Sequence, residues 1–270
     1  MMKRASILQH PIQRLFHNGH REEIMDFLSV EEPLELRIEG ESTAVLMRTP
    51  GRDIALCLGF LYTEGVIDGS DDIYAIAHID APKTAKGNTI DVRLSPGVPL
   101  LRQQKAKRSF FASSSCGICG KESIERIMQD CRPLSPSPTL PTEVLFQLSE
   151  QLREQQNSFA QTGGIHAVGL FDTNGKLIAV EEDIGRHNAL DKLIGHALQQ
   201  DWLPLSEHIL LLSGRAGFEL LQKAWMARIP YVVAIGAPSS LAVQLAQEAG
   251  IQLYAFLRQN KCNLYTTGTA

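Results

Sequence analysis

Residues 209–257 read ILLLSGRAGFELLQKAWMARIPYVVAIGAPSSLAVQLAQEAGIQLYAFL, and this stretch decides the fold. Residues 209–212 are wholly apolar, 218–227 repeat with helical spacing, 231–235 are again a strand-like run, 241–249 return to a helix, and 252–257 give a further strand. Strands without polar alternation, separated by helices, predict a mostly parallel sheet covered on both faces. Working back along the chain, residues 166–171 and 177–180 read as strands flanking a turn at 172–175, and 188–198 as a helix. Before them Pro133, Pro136, Pro138 and Pro141 stand among serines. Proline removes a backbone donor and blocks a helix, so this segment is a linker or an extended edge. A helix then runs through Leu145, Leu148 and Leu152, with Thr142 as its expected cap and Glu143 in its first turn.

The N-terminal part reads differently. Leu34, Leu36 and Ile38 alternate with polar residues, Gly40 breaks the run, and residues 44–47 complete a hairpin. From Asp53 the apolar residues Ile54, Leu56, Leu58, Phe60 and Leu61 cover most of a helix that Gly65 ends, with Cys57 as a packed core thiol. Residues 73–79 and 89–94 read as two more strands. The expected organisation is an N-terminal extension over 1–30 and a small α+β domain over 31–105, interleaved with the rest of the fold. A cysteine loop, helix and proline-rich linker follow over 106–141, then an α/β domain over 142–270.

Three strand-to-helix junctions carry polar chemistry. Residues 182–188 (Glu-Asp-Ile-Gly-Arg-His-Asn), the Ser213, Gly214, Arg215 and Gly217 group, and residues 236–240 each open a helix. Free helix N–H groups at the carboxyl edge of a sheet favour an anionic ligand, although the polar residues of the first junction could also merely cap their helix. Neither GxGxxG nor GxxxxGK[ST] is present, which disfavours ordinary dinucleotide binding and NTP hydrolysis. Gly163 and Gly164 precede His166 at a strand start, suggesting close approach of a ligand or a second backbone.

Residues 113–121, Ser-Ser-Ser-Cys-Gly-Ile-Cys-Gly-Lys, place Cys116 and Cys119 in a small-residue loop that leads into a predicted helix. A helix N-terminus and Lys121 favour thiolate over thiol. Such a pair serves dithiol exchange, a zinc site, an iron–sulfur site, or sulfur relay through a persulfide. A structural zinc site needs four ligands. Here Cys131 could be a third, with His166 or Cys262 a fourth, but no second clustered pair exists. The zinc deaminase signature is also missing, because Ala167 and Val168 follow His166 where H-x-E is required. We therefore expect no permanently bound metal.

A hydrophobic content of 44% in 270 residues suits a globular chain. No apolar run approaches the roughly 18 residues of a membrane span, and the first residues lack a secretory pattern, so a cytoplasmic location is expected. Five cysteines, an odd number, suit reduced thiols. The net charge of −4 argues against broad nucleic-acid binding. Lys105, Lys107 and Arg108 form a local basic run, read either as a solvated loop or as docking for an acidic partner or anionic cofactor.

SSCGICGK, TGGIHAVGL, EDIGRHNALDKLIG, LLLSGRAGFELLQKA, IPYVVAIGAPSSLAVQLA and LYAFLRQNKCNLYT together resemble the formate dehydrogenase accessory sulfurtransferase family, FdhD/NarQ, from about residue 30 onward. The resemblance implies an α/β fold: a cytidine deaminase-like three-layer C-terminal domain with a small α+β N-terminal domain, in a homodimer. It implies a sulfurtransferase that takes persulfide sulfur from a cysteine desulfurase. The sulfur passes to the molybdenum bis(molybdopterin guanine dinucleotide) cofactor, bound as substrate, before that cofactor enters formate dehydrogenase. By position, Cys116 holds the persulfide and Cys119 assists. Ala255, Phe256, Leu257, Arg258, Gln259 and Asn260 match the family's cofactor-binding segment, with Arg215, His187 and His166 as further ligand candidates for the guanine nucleotide end. The alternative reading is a non-catalytic chaperone for the same cofactor.

Overall fold

The computed structural model describes residues 5–81, 87–99 and 132–268. Cys116, Cys119 and the helix expected after them lie outside the described residues. Among the described residues the strands are β1 (Ile7–Leu15), β2 (Arg21–Ser29), β3 (Glu32–Ile38), β4 (Glu41–Arg48), β5 (Ile73–His78) and β6 (Thr89–Leu94), followed by β7 (His166–Asp172), β8 (Leu177–Asp183), β9 (His208–Leu212), β10 (Tyr231–Ala234), β11 (Gln252–Ala255) and β12 (Asn263–Thr267). The helices are α1 (Asp53–Thr63), α2 (Thr142–Gln155), α3 (Asn157–Thr162), α4 (Arg186–Gln199), α5 (Phe218–Met226) and α6 (Ser240–Ala249).

Strands β7 to β12 form a six-stranded sheet in the order β12-β11-β10-β9-β7-β8. Successive residues of its central strands enter different cores. Ile209, Leu211, Tyr231, Val233 and Tyr254 pack with Leu145, Leu148 and Leu152 of α2. Leu210, Leu212, Val232, Ala234 and Leu253 face α4, α5 and α6 on the other side. Burial on both faces is the reason these strands show no polar alternation. The result is the expected three-layer α/β architecture.

The expectation of a mostly parallel sheet is corrected. The β9–β10 and β10–β11 pairings are parallel, whereas β7–β8, β7–β9 and β11–β12 are antiparallel. The short turn after β7 leaves β8 no route except an antiparallel return. Strand β12 was not anticipated, and residues 256–257 leave β11 instead of extending it. At α2, Pro141 occupies the cap position and Thr142 is the first helical residue, with no side-chain cap. The proline segment lies across the ends of β10 and β11. Tyr231 Oη donates to Pro138 O at 2.8 Å, and Gln252 Nε2 to Ser137 O at 2.7 Å.

The N-terminal unit is a four-stranded sheet, β4-β3-β6-β5, with α1 over one face. Cys57 is fully buried there, as expected, and burial pushes its thiol well above the usual range. Within the stretch read as an extension, β1 and β2 form a separate two-stranded sheet. No helix among the described residues is long and apolar enough to cross a membrane.

The two larger units meet where α1 crosses α4. A Cβ on Gly59 would stand 1.8 Å from Asp191 O, and one on Gly195 would stand 1.8 Å from Ala55 O. The backbones touch at two glycines, and the flanking side chains close around the contact. In an ordinary helix Gly→Ala is stabilising by about 1 kcal/mol through propensity. Here overpacking reverses the sign, so Gly59→Ala and Gly195→Ala should each destabilise by at least about 2 kcal/mol. Urea unfolding measures this; a neutral or stabilising effect at either position contradicts the crossing.

Candidate functional site

Register brings five chain segments to one edge of the six-stranded sheet. Val168 near the start of β7 pairs with Leu212 at the end of β9, His166 pairs with Asp183 at the end of β8, and Ala255 pairs with Asn263. Because β9, β10 and β11 are parallel, the loops after them open on this same side. All three polar junctions read from the sequence therefore share it.

Their backbones interlock. Gly236 N donates to Gly214 O at 2.8 Å, Phe256 N donates to Gly236 O at 3.2 Å, and Ala216 bridges Pro238. A Cβ on Gly236 would come within 2.8 Å of the Gly214 backbone, and one on Gly214 within 3.3 Å of His166 Nδ1. The glycines at 214 and 236 thus let neighbouring loops pack. Gly163 has a separate task, closing α3 at φ 62°.

The helix starts differ. Gly185 before α4 and Gly217 before α5 provide no side-chain cap, whereas Ser239 before α6 accepts from Ala242 N at 3.2 Å. The third junction therefore uses one of its own N–H groups. The loop before α4 is fixed by Asp183, which was not singled out beyond its motif. Its carboxylate accepts from Gly185 N at 2.8 Å, from Asn188 Nδ2 at 3.1 Å and from Thr49 N at 3.1 Å, and pairs with Lys192 Nζ at 2.7 Å. Asp183 and Lys192 are both buried, so the pair is fixed by these hydrogen bonds rather than by surface attraction.

Helices α4 and α5 start side by side at this edge, and two polar rungs connect them. At the mouth His187 Nε2 lies 2.8 Å from Glu219 Oε2. One turn further in, Lys223 Nζ pairs with Asp191 at 2.9 Å and donates to Thr63 Oγ1 of α1 at 2.9 Å. Burial opposes the Lys223 charge, yet Asp191 and Glu64 hold its pKa above the ordinary lysine value. His166 is held below the usual histidine range by burial, with Arg186 and His187 adding repulsion. It is therefore a neutral ring that can accept or donate a hydrogen bond at neutral pH.

The C-terminal candidates divide by orientation. Ala255 and Leu257 are buried and contribute to the core, whereas Phe256, Arg258, Gln259 and Asn260 are exposed. Phe256 has φ 56°, a left-handed conformation uncommon for an aromatic residue, and Arg258 donates to Ile235 O and Leu257 O, each at 2.7 Å. Phe256, Arg258, Lys261 and Asn263 line a cavity of about 320 Å³. Lys261 was missed in the sequence reading, where it stood only inside a motif. An aromatic face beside two cations suits a planar, anionic ligand. Arg215 is exposed on the loop after β9. Among the described residues no group of three or more His, Cys, Asp or Glu is placed to hold a metal ion.

A family model described as the FdhD/NarQ family matches residues 29–270. The sulfur carrier protein FdhD of Mycobacterium tuberculosis is 47% identical over 247 residues, covering 88% of this chain and 89% of that protein. The protein of the same name from Streptomyces avermitilis is 47% identical over 247 residues, covering 89% and 87%. That from Anaeromyxobacter dehalogenans is 42% identical over 254 residues, covering 91% and 88%. A crystal structure described as that of a formate dehydrogenase accessory protein from Desulfotalea psychrophila superposes with a TM-score of 0.75. It is 23% identical in sequence, covers 97% of each chain, and bears on the fold alone.

The rung at the mouth has a pH signature. The His187 hydrogen bond holds Glu219 below the usual glutamate range, partial burial opposes it, and attraction from His187, Lys223 and Arg186 adds to the lowering. A depressed carboxylate stabilises the fold above its unfolded pKa, and that stability is lost as pH falls through the folded value. The Glu219 side chain is 35% exposed, so Glu219→Gln should cost no more than about 1 kcal/mol at pH 7. The cost should shrink as pH drops below about 4. Urea melts of both proteins at pH 7 and in mild acid check this; an undiminished difference in acid contradicts the assigned pairing.

Proposed function

The chain belongs to the FdhD/NarQ family, and on that premise we propose that it carries sulfur for the maturation of formate dehydrogenase, as a homodimer. The donor is a cysteine desulfurase and the acceptor is the molybdenum bis-guanine-dinucleotide cofactor, bound as substrate. The observation that supports the acceptor side is the sheet edge, where α4 and α5 start without side-chain caps on the same side of the sheet as His166, His187 and the Phe256–Arg258–Lys261 cavity. Helix N-termini and guanidinium groups suit the phosphates of a dinucleotide, and an exposed ring suits stacking against a base.

The donor side rests on Cys116 and Cys119. Cys116 thiolate attacks the outer sulfur of the donor persulfide; the S–S bond breaks and the donor cysteine leaves as thiolate. Cys119 thiolate can then attack the inner sulfur of the new persulfide, expelling the outer sulfur as hydrosulfide to the cofactor and leaving a Cys116–Cys119 disulfide, which an external dithiol reduces by exchange before the next cycle. At the sheet edge, Arg258 holds the ligand while its own position is fixed by two backbone carbonyls.

Expression of variants in cells lacking the native protein tests this order of events. Cys116→Ala should leave the dehydrogenase with bound, sulfur-free cofactor and lower activity at least about a hundredfold, because the nucleophile is gone. Arg258→Ala should lower activity while leaving the thiols able to accept sulfur. Near-normal activity with Cys116→Ala removes sulfur relay and leaves the chaperone reading.

A further inference from the structure

Strand β8 ends the six-stranded sheet, and no strand pairs with its outer edge among the described residues. Register fixes which of its backbone groups are left over. Ser213 N donates to Ala167 O, so Ala167 turns its backbone groups to β9, and Val168 turns its own to β8, where it meets Glu181. Glu181 therefore faces β7, and the N–H and C=O groups of Val180 and Glu182 point to the open edge. Lys192 Nζ takes the Glu182 carbonyl at 3.2 Å. The Val180 N–H and C=O and the Glu182 N–H remain as a template for another strand. The sequence of β8, LIAVEED, contains neither lysine nor proline, the residues that commonly blunt such an edge.

The open edge lines a cavity. Residues 177–182 form one wall of a space of about 580 Å³, residues 49–52 form a second, and Gln155 and Ser158 at the α2–α3 turn form a third. That volume falls within the range of ligand pockets, roughly 300–1,000 Å³. Both cations of the wall are matched: Arg52 Nη2 lies 2.6 Å from Glu181 Oε1, and Lys192 Nζ lies 2.7 Å from Asp183 Oδ2. Glu182 is left as the excess charge. Its two oxygens accept from Ser158 N and Phe159 N at 3.1 and 3.2 Å, which holds the carboxylate on the α3 side of β8 with lone pairs to spare. Val180 points to the same side, because alternate residues of a strand share a face.

We propose that this cavity docks an extended segment of a partner protein, which adds to β8 as a further antiparallel strand and sets a basic side chain against Glu182. One residue of the segment exchanges two hydrogen bonds with Val180. The residue two places before it accepts from Glu182 N and stands directly across from Glu182. Cross-strand partners project to the same face, so the earlier residue is lysine or arginine and the later one is β-branched and apolar, beside Val180. The recognised pattern is basic–x–apolar, read from N to C. Thr49 and Lys192, which line the cavity, also hold Asp183 before α4, so the docked strand lies against residues that fix the candidate site. Docking here does not depend on sulfur transfer. Three main-chain hydrogen bonds and one ion pair make a transient contact, with a dissociation constant on the order of 0.1–1 mM.

Amide NMR of the isotope-labelled full chain, titrated with the peptide acetyl-Thr-Lys-Thr-Val-Thr-amide to about 5 mM, tests the proposal. The Val180 and Glu182 amides should shift together and saturate. A peptide N-methylated at its valine cannot donate to Val180 O, and one with glutamate in place of lysine sets like charges together; each should bind at least about tenfold more weakly. Both peptides leave the protein unchanged, so neither loss can come from unfolding. Against Glu182→Gln the preference for lysine over glutamate should vanish, while the penalty for N-methylation persists. Shifts absent from β8, or equal binding of the N-methylated peptide, overturn the proposal. A Val180 amide already protected from hydrogen exchange in the free, dilute protein also overturns it, since the edge is then covered from within the chain. Protection that grows with protein concentration assigns the edge to a second copy and overturns the partner segment.

Discussion

The contact on which the arrangement depends is the one between the α1 and α4 backbones at Gly59 and Gly195. Such close approach leaves no room for side chains between the helices, so the polar groups along them must find partners at fixed positions. Thr63 and Asp191 do so with Lys223 of α5, which ties three helices at one buried point. Removing one member of a buried pair typically costs about 3–5 kcal/mol, because the other charge is stranded. The loop between β4 and α1 has its own anchor. Arg48, fully buried, donates through Nε and Nη2 to the two carboxylate oxygens of Asp53 at 2.9 and 3.0 Å, and also to Asn88. Thr49 in that loop receives and returns hydrogen bonds at the β8–α4 junction. The N-terminal unit therefore helps to set the geometry of the candidate site.

This dependence follows from the spacing of residues along α4. His187 and Asp191 are one helical turn apart, as are Glu219 and Lys223 on α5, so the exposed rung at the mouth continues into the buried rung beneath it. A ligand that engaged His187 would press on a pair whose neighbour is held by α1. The edge is thus cross-linked where α4 and α5 begin. It is more open at Phe256 and Lys261, beside the exposed strand β12.

Much of the three-layer domain was legible because its signals are strong. Residues buried on two faces leave unbroken apolar runs, and these were placed within a residue or two. What was missed has physical causes. Strands β1, β2 and β12 are largely exposed, so they lack the apolar pattern by which a strand is recognised; α3 is only six residues long. Parallel against antiparallel order was misjudged because apolarity reports burial, not direction. At the site, the three junctions and the C-terminal segment were legible as motifs. The pairing of His187 with Glu219 was not, since it depends on two helix starts that meet only in the folded chain. The two glycines of the second junction differ in use: Gly214 packs against neighbouring loops, whereas a Cβ on Gly217, read as permitting close backbone approach, would meet nothing within 4 Å.

The central claim is that the chain accepts sulfur covalently, and intact-protein mass spectrometry tests it most directly. After incubation with a cysteine desulfurase and cysteine, the protein should gain about 32 Da, one sulfur atom, in a form removed by reductant. Peptide mapping should place that sulfur on Cys116, and Cys116→Ala should remain unloaded. Full loading of the Cys116→Ala protein, or no added sulfur on the parent, would contradict the account.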